Sequence, residues 1–122
     1  MKFTFDNNAP IYVQIVEQIK ISIISGDLKS GERLPSVRDL ALESKVNPNT
    51  MQKALIELEE TGLIYTERTN GKFITEDTAL ILSFKKKYAD ELSAKFLRGM
   101  QNIGYDNLSA LKYIEKFGGK AL

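Results

Sequence analysis

The run Asn49-Thr50-Met51-Gln52-Lys53 places four side chains suited to nucleic acid within five residues. Asn and Gln can each pair bidentately with an adenine edge, Lys reaches guanine acceptors, and Thr suits a phosphate or a thymine methyl. The preceding Asn47-Pro48 reads as a helix start. Asparagine is a good N-cap, and proline loses nothing in a first turn whose N–H groups are unpaired anyway. The helix would then aim free N–H groups and its positive dipole end at the place those side chains reach. A second group follows at Arg68 and Asn70-Gly71-Lys72. Asn-Gly is the strongest short hairpin signal because both residues tolerate positive φ. Such a tip brings nearly bare backbone and one cation close to a sugar-phosphate chain. Arg38 and Lys45 add cations upstream. Each feature alone has a plainer reading: a solvated helix face, an ordinary hairpin, a surface ion pair of Arg38 with Asp39 or Glu43. Their order along the chain is what joins them.

The elements that must hold these residues can be traced in turn. Pro10 precedes Tyr12, Ile15, Val16, Ile19 and Ile23, an apolar row at three- and four-residue spacing that predicts a helix closed by Gly26-Asp27. Ile11, Ile21 and Ile24 fall off that row and imply a second surface. Lys29-Ser30-Gly31-Glu32 reads as a turn. Ser36, with Asp39 three residues on, is a variant capping box for a short helix carrying Val37, Leu40 and Ala41 and fading near Ser44. The helix from Asn47 runs to about Glu60, with Met51, Ala54, Leu55 and Leu58 inward and Gly62 closing it. Leu63–Arg68 and Lys72–Thr75 read as two strands joined at Asn70-Gly71. Residues 10–76 therefore read helix, helix, helix, hairpin: two helices around a short turn, then a wing.

From Thr78, Ile81, Phe84, Tyr88, Leu92, Phe96, Met100 and Ile103 keep a helical period up to Gly104. A last helix, capped by Asp106 or Asn107, carries Leu108, Leu111, Ile114 and Phe117 and is expected to stop at Gly118-Gly119, leaving a loose tail. Two helices cannot bury apolar rows on both sides alone. The partner that costs least is the same pair in a second subunit, related by a twofold axis. Ile81, Phe84, Tyr88, Leu92, Phe96, Met100, Leu111 and Ile114 are the expected interface. The fold class is thus mainly α with a small β-hairpin, a winged helix-turn-helix in residues 1–76 followed by a helical dimerisation element in residues 77–122.

Composition removes whole classes of function. The 122 residues contain neither cysteine nor histidine, so disulfides and cysteine or histidine metal sites are out, as are the commonest general base and thiol nucleophile. No Gly-rich phosphate loop or nucleophile–base pair is present, and Glu57, Glu59 and Glu60 on one helix lack a cleft, so no catalytic, cofactor or metal residue is assigned. The absence of a signal segment, of a long apolar run and of cysteine fits a cytoplasmic protein that does not enter a membrane. Bulk charge is unhelpful. The net charge is +1, and residues 1–76 hold nine basic against eleven acidic side chains. That balance keeps open an alternative, a winged-helix adaptor that binds protein instead of DNA.

Three blocks break the tie: Leu34-Pro35-Ser36-Val37-Arg38-Asp39-Leu40-Ala41, then Val46-Asn47-Pro48-Asn49-Thr50-Met51-Gln52-Lys53-Ala54-Leu55, then Leu58-Glu59-Glu60-Thr61-Gly62-Leu63-Ile64. With Gln14, Ile19 and Ile24-Ser25-Gly26-Asp27-Leu28, they resemble the GntR family of bacterial transcription regulators over residues 10–76. The Val-Asn-Pro-Asn-Thr start and short C-terminal part look like its YtrA subfamily. The resemblance implies that Arg38 binds DNA, that Asn47, Asn49, Thr50 and Gln52 read the operator, and that Asn70, Gly71 and Lys72 enter the minor groove. Lys45, Lys53 and Arg68 are further candidates for the same face. Pro48 and Gln52 stand where many members carry arginine. The wing, Thr69-Asn70-Gly71-Lys72-Phe73-Ile74, lacks one glycine and the threonine of the usual Gly-x-Gly-Thr-Phe-Val. The implied function is a dimeric regulator, often a repressor and often of transporter operons, on an inverted repeat of double-stranded DNA. A small-molecule effector is not indicated; a pocket between subunits is neither shown nor excluded.

Overall fold

The computed structural model describes residues 1–121. Its elements run α1 (Ile11–Ser25), α2 (Val37–Ser44), α3 (Pro48–Glu60), β1 (Ile64–Glu67), β2 (Gly71–Ile74), α4 (Thr78–Asn102) and α5 (Asn107–Ala121). The chain forms two compact units, Met1–Lys85 and a second beginning at Lys86.

In the first unit the helices begin and end where local chemistry directs. Ser36 Oγ accepts the Asp39 N–H at 3.1 Å, and Asn47 Oδ1 accepts the Asn49 N–H at 2.8 Å. Each cap satisfies a donor that the first turn leaves free, worth about 1 kcal/mol. Pro48 takes the first helical position of α3. At the end of α2 the Val46 N–H reaches the Ala41 carbonyl at 3.0 Å and the Lys45 N–H reaches Leu42 at 3.3 Å. This double bond pattern needs a left-handed residue between helix and loop. Lys45 fills it at φ 58°, where glycine is the usual occupant, and among the described residues it is the one non-glycine with positive φ.

The core is built from one face of each element. Ile15, Ile19 and Ile23 of α1, Leu40 of α2, Met51, Leu55 and Leu58 of α3, and Leu63, Ile64 and Ile74 at the wing are all at most 2% exposed. Burying each such side chain contributes about 1.5–3 kcal/mol. Leu80, Ile81 and Phe84, in the first two turns of α4, pack on the same core, which is why the compact unit runs on to Lys85.

The wing is an antiparallel pair with Thr66 opposite Lys72 and Glu67 opposite Gly71. A third segment lies along the other side of β2. Leu34 N–H donates to Lys72 O and Ile74 N–H to Glu32 O, both at 2.8 Å, with Arg33 bridged to Phe73. The sequence reading gave this segment no strand character. Two ladder bonds are too short a pairing to leave a period-two pattern.

In the second unit α4 closes at Gly104, φ 99°, and Asp106 caps α5 by accepting the Ser109 N–H at 2.8 Å. That backbone bond holds the Asp106 carboxyl below its ordinary pKa. One expectation is corrected here: α5 does not stop at Gly118-Gly119 but continues to Ala121. Glycine weakens a helix by about 1 kcal/mol per residue without forbidding it, and neither glycine here adopts the positive φ that makes a cap. The expected loose tail reduces to Leu122, outside the described residues.

Candidate nucleic-acid interface

The expected reading set is assembled at the start of α3. Asn47, Asn49, Gln52 and Lys53 are exposed and Thr50 is half-buried. Asn47 spends its carbonyl oxygen on the cap, which leaves its amide NH2 free to donate outward. Asn49 and Gln52 have no side-chain partner among the described residues, so their full bidentate capacity is available.

Seven of the nine cations in residues 1–76 divide into two classes; Lys2 and Lys29, also without an ion-pair partner among the described residues, line neither of the grooves beside α2. Three are engaged within the chain. Lys53 Nζ lies 3.9 Å from the centroid of the Tyr12 ring, a cation–π contact that draws it toward α1. Lys20 lies over Phe84 and 3.8 Å from Glu17. Lys72 Nζ, with a side chain only 17% exposed, donates to Glu59 Oε1 and, at 2.9 Å, to Thr66 Oγ1. Thr66 Oγ1 donates to the same Glu59 oxygen, so the last turn of α3 is tied to the central rung of the wing. Those hydrogen bonds, from Lys72 first and Thr66 second, hold the Glu59 carboxyl below its ordinary pKa.

Four other cations have no ion-pair partner among the described residues, and they line two neighbouring grooves. Arg33 and Arg68 flank a groove of about 290 Å³ bounded by Ser36 and by the wing from Thr66 to Lys72. Arg38 and Lys45 flank a second, of about 410 Å³, with Leu42, Val46 and Pro48. The N-terminal turn of α2 stands between them, since Val37 lines the first and Arg38 the second. These four cations therefore surround the start of α3 and the wing tip. Arg38 pairs with neither Asp39 nor Glu43; Glu43 instead meets the α-amino group at 2.8 Å. Arg33 was not singled out from sequence. Its signal is the strand pairing of Glu32–Leu34 with β2, which single-residue inspection does not reveal.

Gly71 sits at the wing tip with φ 101°, and a Cβ there would lie 3.2 Å from Arg33 Nε and 3.4 Å from its Nη2. The backbone conformation calls for glycine, and a Cβ would press on the Arg33 head group. Asn70 donates to Glu67 Oε2 at 3.0 Å, closing the turn.

The expected dimer residues fall in different surroundings. Ile81 and Phe84 are half-buried on the core of the first unit. Tyr88, Phe96 and Met100 are half-buried, while Leu92, Leu111 and Ile114 are exposed, at 67%, 56% and 39%. Ile103, Leu108 and Phe117 extend the exposed apolar surface of the second unit. Among the described residues no helix is long and apolar enough to cross a membrane.

Comparison with known proteins agrees with this arrangement. The profile of "Bacterial regulatory proteins, gntR family" matches residues 11–74, from α1 through the wing. The chain is 36% identical to the HTH-type transcriptional regulator YhcF of Bacillus subtilis over 113 residues, 93% of both chains. It is 45% identical to the HTH-type transcriptional repressor YtrA of the same organism over 76 residues, 62% of this chain and 58% of that one. Among solved structures, a GntR family transcriptional regulator from Listeria monocytogenes superposes with a TM-score of 0.84 at 40% identity, covering 92% of this chain and 98% of its own.

Proposed function

The chain belongs to the GntR family of bacterial regulatory proteins, a winged helix-turn-helix transcription regulator with a DNA-binding domain, and on that premise we propose that it acts as a homodimeric repressor on an inverted-repeat operator, in the cytoplasm, with a transporter operon as the expected target class. The observation that carries the proposal is the sorting of charge. Residues 1–76 are net acidic, yet Arg33, Arg38, Lys45 and Arg68 stand unpaired around the first turn of α3 and the wing. In this reading α3 enters the major groove N-terminus first. Asn49 and Gln52 read base edges, Asn47 and Thr50 donate to the backbone or to a base edge, and the four cations grip phosphates.

The dimer follows from the second unit. Leu92, Ile103, Leu108, Leu111 and Phe117 leave a run of large apolar side chains in water. A second copy would cover it and set two reading heads one DNA turn apart, roughly 34–36 Å. The split of the chain into a 1–76 reading domain and a 77–122 pairing element is part of the proposal, with Leu80, Ile81 and Phe84 at the start of that element packed on the reading domain's core.

The test is selection of random duplex DNA on the purified protein, with its mass in solution recorded alongside. A twofold-symmetric motif recovered by a dimer supports the proposal. Four phosphate-gripping cations per subunit further predict a log–log salt slope of about −7 for the dimer. Recovery of no motif at low salt would overturn it in favour of a protein-binding adaptor.

A further inference from the structure

A wing tip that approaches DNA needs a positive group, and the one the sequence offers there is Lys72. The structure takes that group away. Lys72 is largely buried, and its ammonium is held by Glu59 and Thr66. Releasing it would leave the Glu59 carboxylate with one of its two donors. The hairpin's other cation, Arg68, sits in the loop beyond β1 and has no hydrogen bond or ion pair among the described residues.

A third cation, a guanidinium, reaches the tip from outside the hairpin. Arg33 belongs to the segment paired along the free side of β2, and its backbone is bridged to Phe73. From there its side chain runs to Gly71, where Nε and Nη2 lie within 3.2 and 3.4 Å of the position a Cβ would take. Gly71 thus does more than turn the chain: its missing side chain is the seat of the Arg33 head group. The head group is exposed, has no carboxylate partner among the described residues, and borders the groove between the wing and Ser36. The guanidinium rests beside Gly71 with no hydrogen bond or ion pair among the described residues, so its planar fork is available to a ligand.

We propose that Arg33 is a DNA-contacting residue of the wing, the guanidinium that the tip carries to the duplex in place of Lys72. It rests on the DNA-binding reading above, which counts Arg33 only as one of four free cations, and assigns that cation to the wing tip, delivered from the segment before α2. The chemistry it recognises is the anionic surface of duplex DNA beside the half-site. A narrow A·T-rich minor groove, where negative potential concentrates, suits it best.

The test compares Arg33→Met, Arg33→Lys and Lys72→Met in the full-length protein, each titrated with the selected operator over a salt series. Arg33→Met keeps the stem that covers the wing and removes the charge; its melting temperature is read alongside to confirm folding. The expected result is a roughly tenfold or greater loss of affinity, with the salt slope shallower by about 0.9 per subunit. Lys72→Met should leave that slope unchanged, and Arg33→Lys should recover slope more than affinity, because ammonium lacks the planar fork. Repeating the DNA selection with Arg33→Met separates two modes of contact. Loss of an A·T preference beside the half-site places the guanidinium in the minor groove, and a uniform loss places it on phosphate. An unchanged slope and affinity for a folded Arg33→Met would overturn the proposal while leaving operator binding by the wild type, and its loss in Arg38→Ala, untouched. Failure of the wild type itself to bind would sink the underlying reading instead.

Discussion

Lys45 should be a residue whose replacement improves the fold and harms the function. It occupies the left-handed position that closes α2 at φ 58°, fixed by the N–H groups of Lys45 and Val46 on the Leu42 and Ala41 carbonyls. For an L-residue that conformation costs about 1–2 kcal/mol. Glycine removes the cost but gains about 0.4–1 kcal/mol of chain entropy when unfolded. Lys45→Gly should therefore be stabilising by about 0.5–1 kcal/mol, which for a domain of this size raises the melting temperature by roughly 2–6 °C. The same substitution deletes a cation from the groove it shares with Arg38. A dimer loses two phosphate contacts, and the salt slope should fall in magnitude by about 1.8. Lys45→Asn, which tolerates the left-handed region, should give the affinity loss with little change in melting. The assays are thermal unfolding by circular dichroism and operator titration by fluorescence anisotropy across a salt series. A lower melting temperature for Lys45→Gly would refute the account of the α2 cap. An unchanged slope would refute the placement of Lys45 at phosphate, even if the stability gain appeared.

Four further outcomes are expected. Glu59→Gln removes the acceptor of Lys72 and Thr66 and should raise amide hydrogen exchange in β1 and β2 while sparing α1. Because the Glu59 carboxyl is held below its ordinary pKa in the folded protein, its contribution is complete above the usual carboxylate range and is lost as pH falls through the lowered value. Acid melting curves of wild type and Glu59→Gln should accordingly converge, and divergence toward low pH would count against the clamp. Ser36→Ala deletes the α2 cap and should cost about 1 kcal/mol in denaturant unfolding with the salt slope intact. Leu55→Ala empties a fully buried site between α3 and its neighbours and should cost about 2–5 kcal/mol; a loss under 1 kcal/mol would mean the core is not packed as described. Leu111→Glu puts a charge on the exposed apolar row of α5 and should yield monomers by light scattering with the first unit still folded, whereas persistent dimers would move the interface elsewhere.

Most of the fold was legible because its signals are local. Caps at Ser36 and Asn47, the Asn-Gly turn, and the apolar rows of α1 and α3 are each written within a few residues, and each element forms where those signals stand. What escaped was relational. That Lys45 would take a glycine's backbone conformation depends on where Val46 must go to join α2 to α3. Gly118 and Gly119 looked like a stop because glycine usually marks one, but a glycine caps only when the chain turns there. The candidate site was legible in its residue types and not in its charge states. Nothing in the chain's local pattern says that Lys53 lies over Tyr12, forty-one positions earlier, or that Lys72 is held by a carboxylate on α3.

That last point resolves the puzzle of an acidic reading domain. Net charge counts every ion equally, but affinity for a phosphate backbone depends on the cations that can reach phosphates and release counterions. Within 1–76, Glu59 and Glu17 each stand beside a lysine that is itself engaged, so both members of those pairs drop out of the count. Of the six cations left over in residues 1–76, four are gathered, while Lys2 and Lys29 line neither groove. Arg33 and Arg68 border one groove, Arg38 and Lys45 the next, and α2 begins between them beside the first turn of α3. A surface with few free cations, most of them in one place, binds DNA weakly in general and more tightly where several contacts fit at once. An excess of basic charge would raise binding to every sequence alike. An acidic surround holds the non-specific contribution down, so that in the proposed reading the base-edge contacts of Asn49 and Gln52 would decide where the protein stays. On this argument, neutralising acidic residues outside the two grooves should raise affinity for random DNA more than for the operator, and so lower the ratio between them.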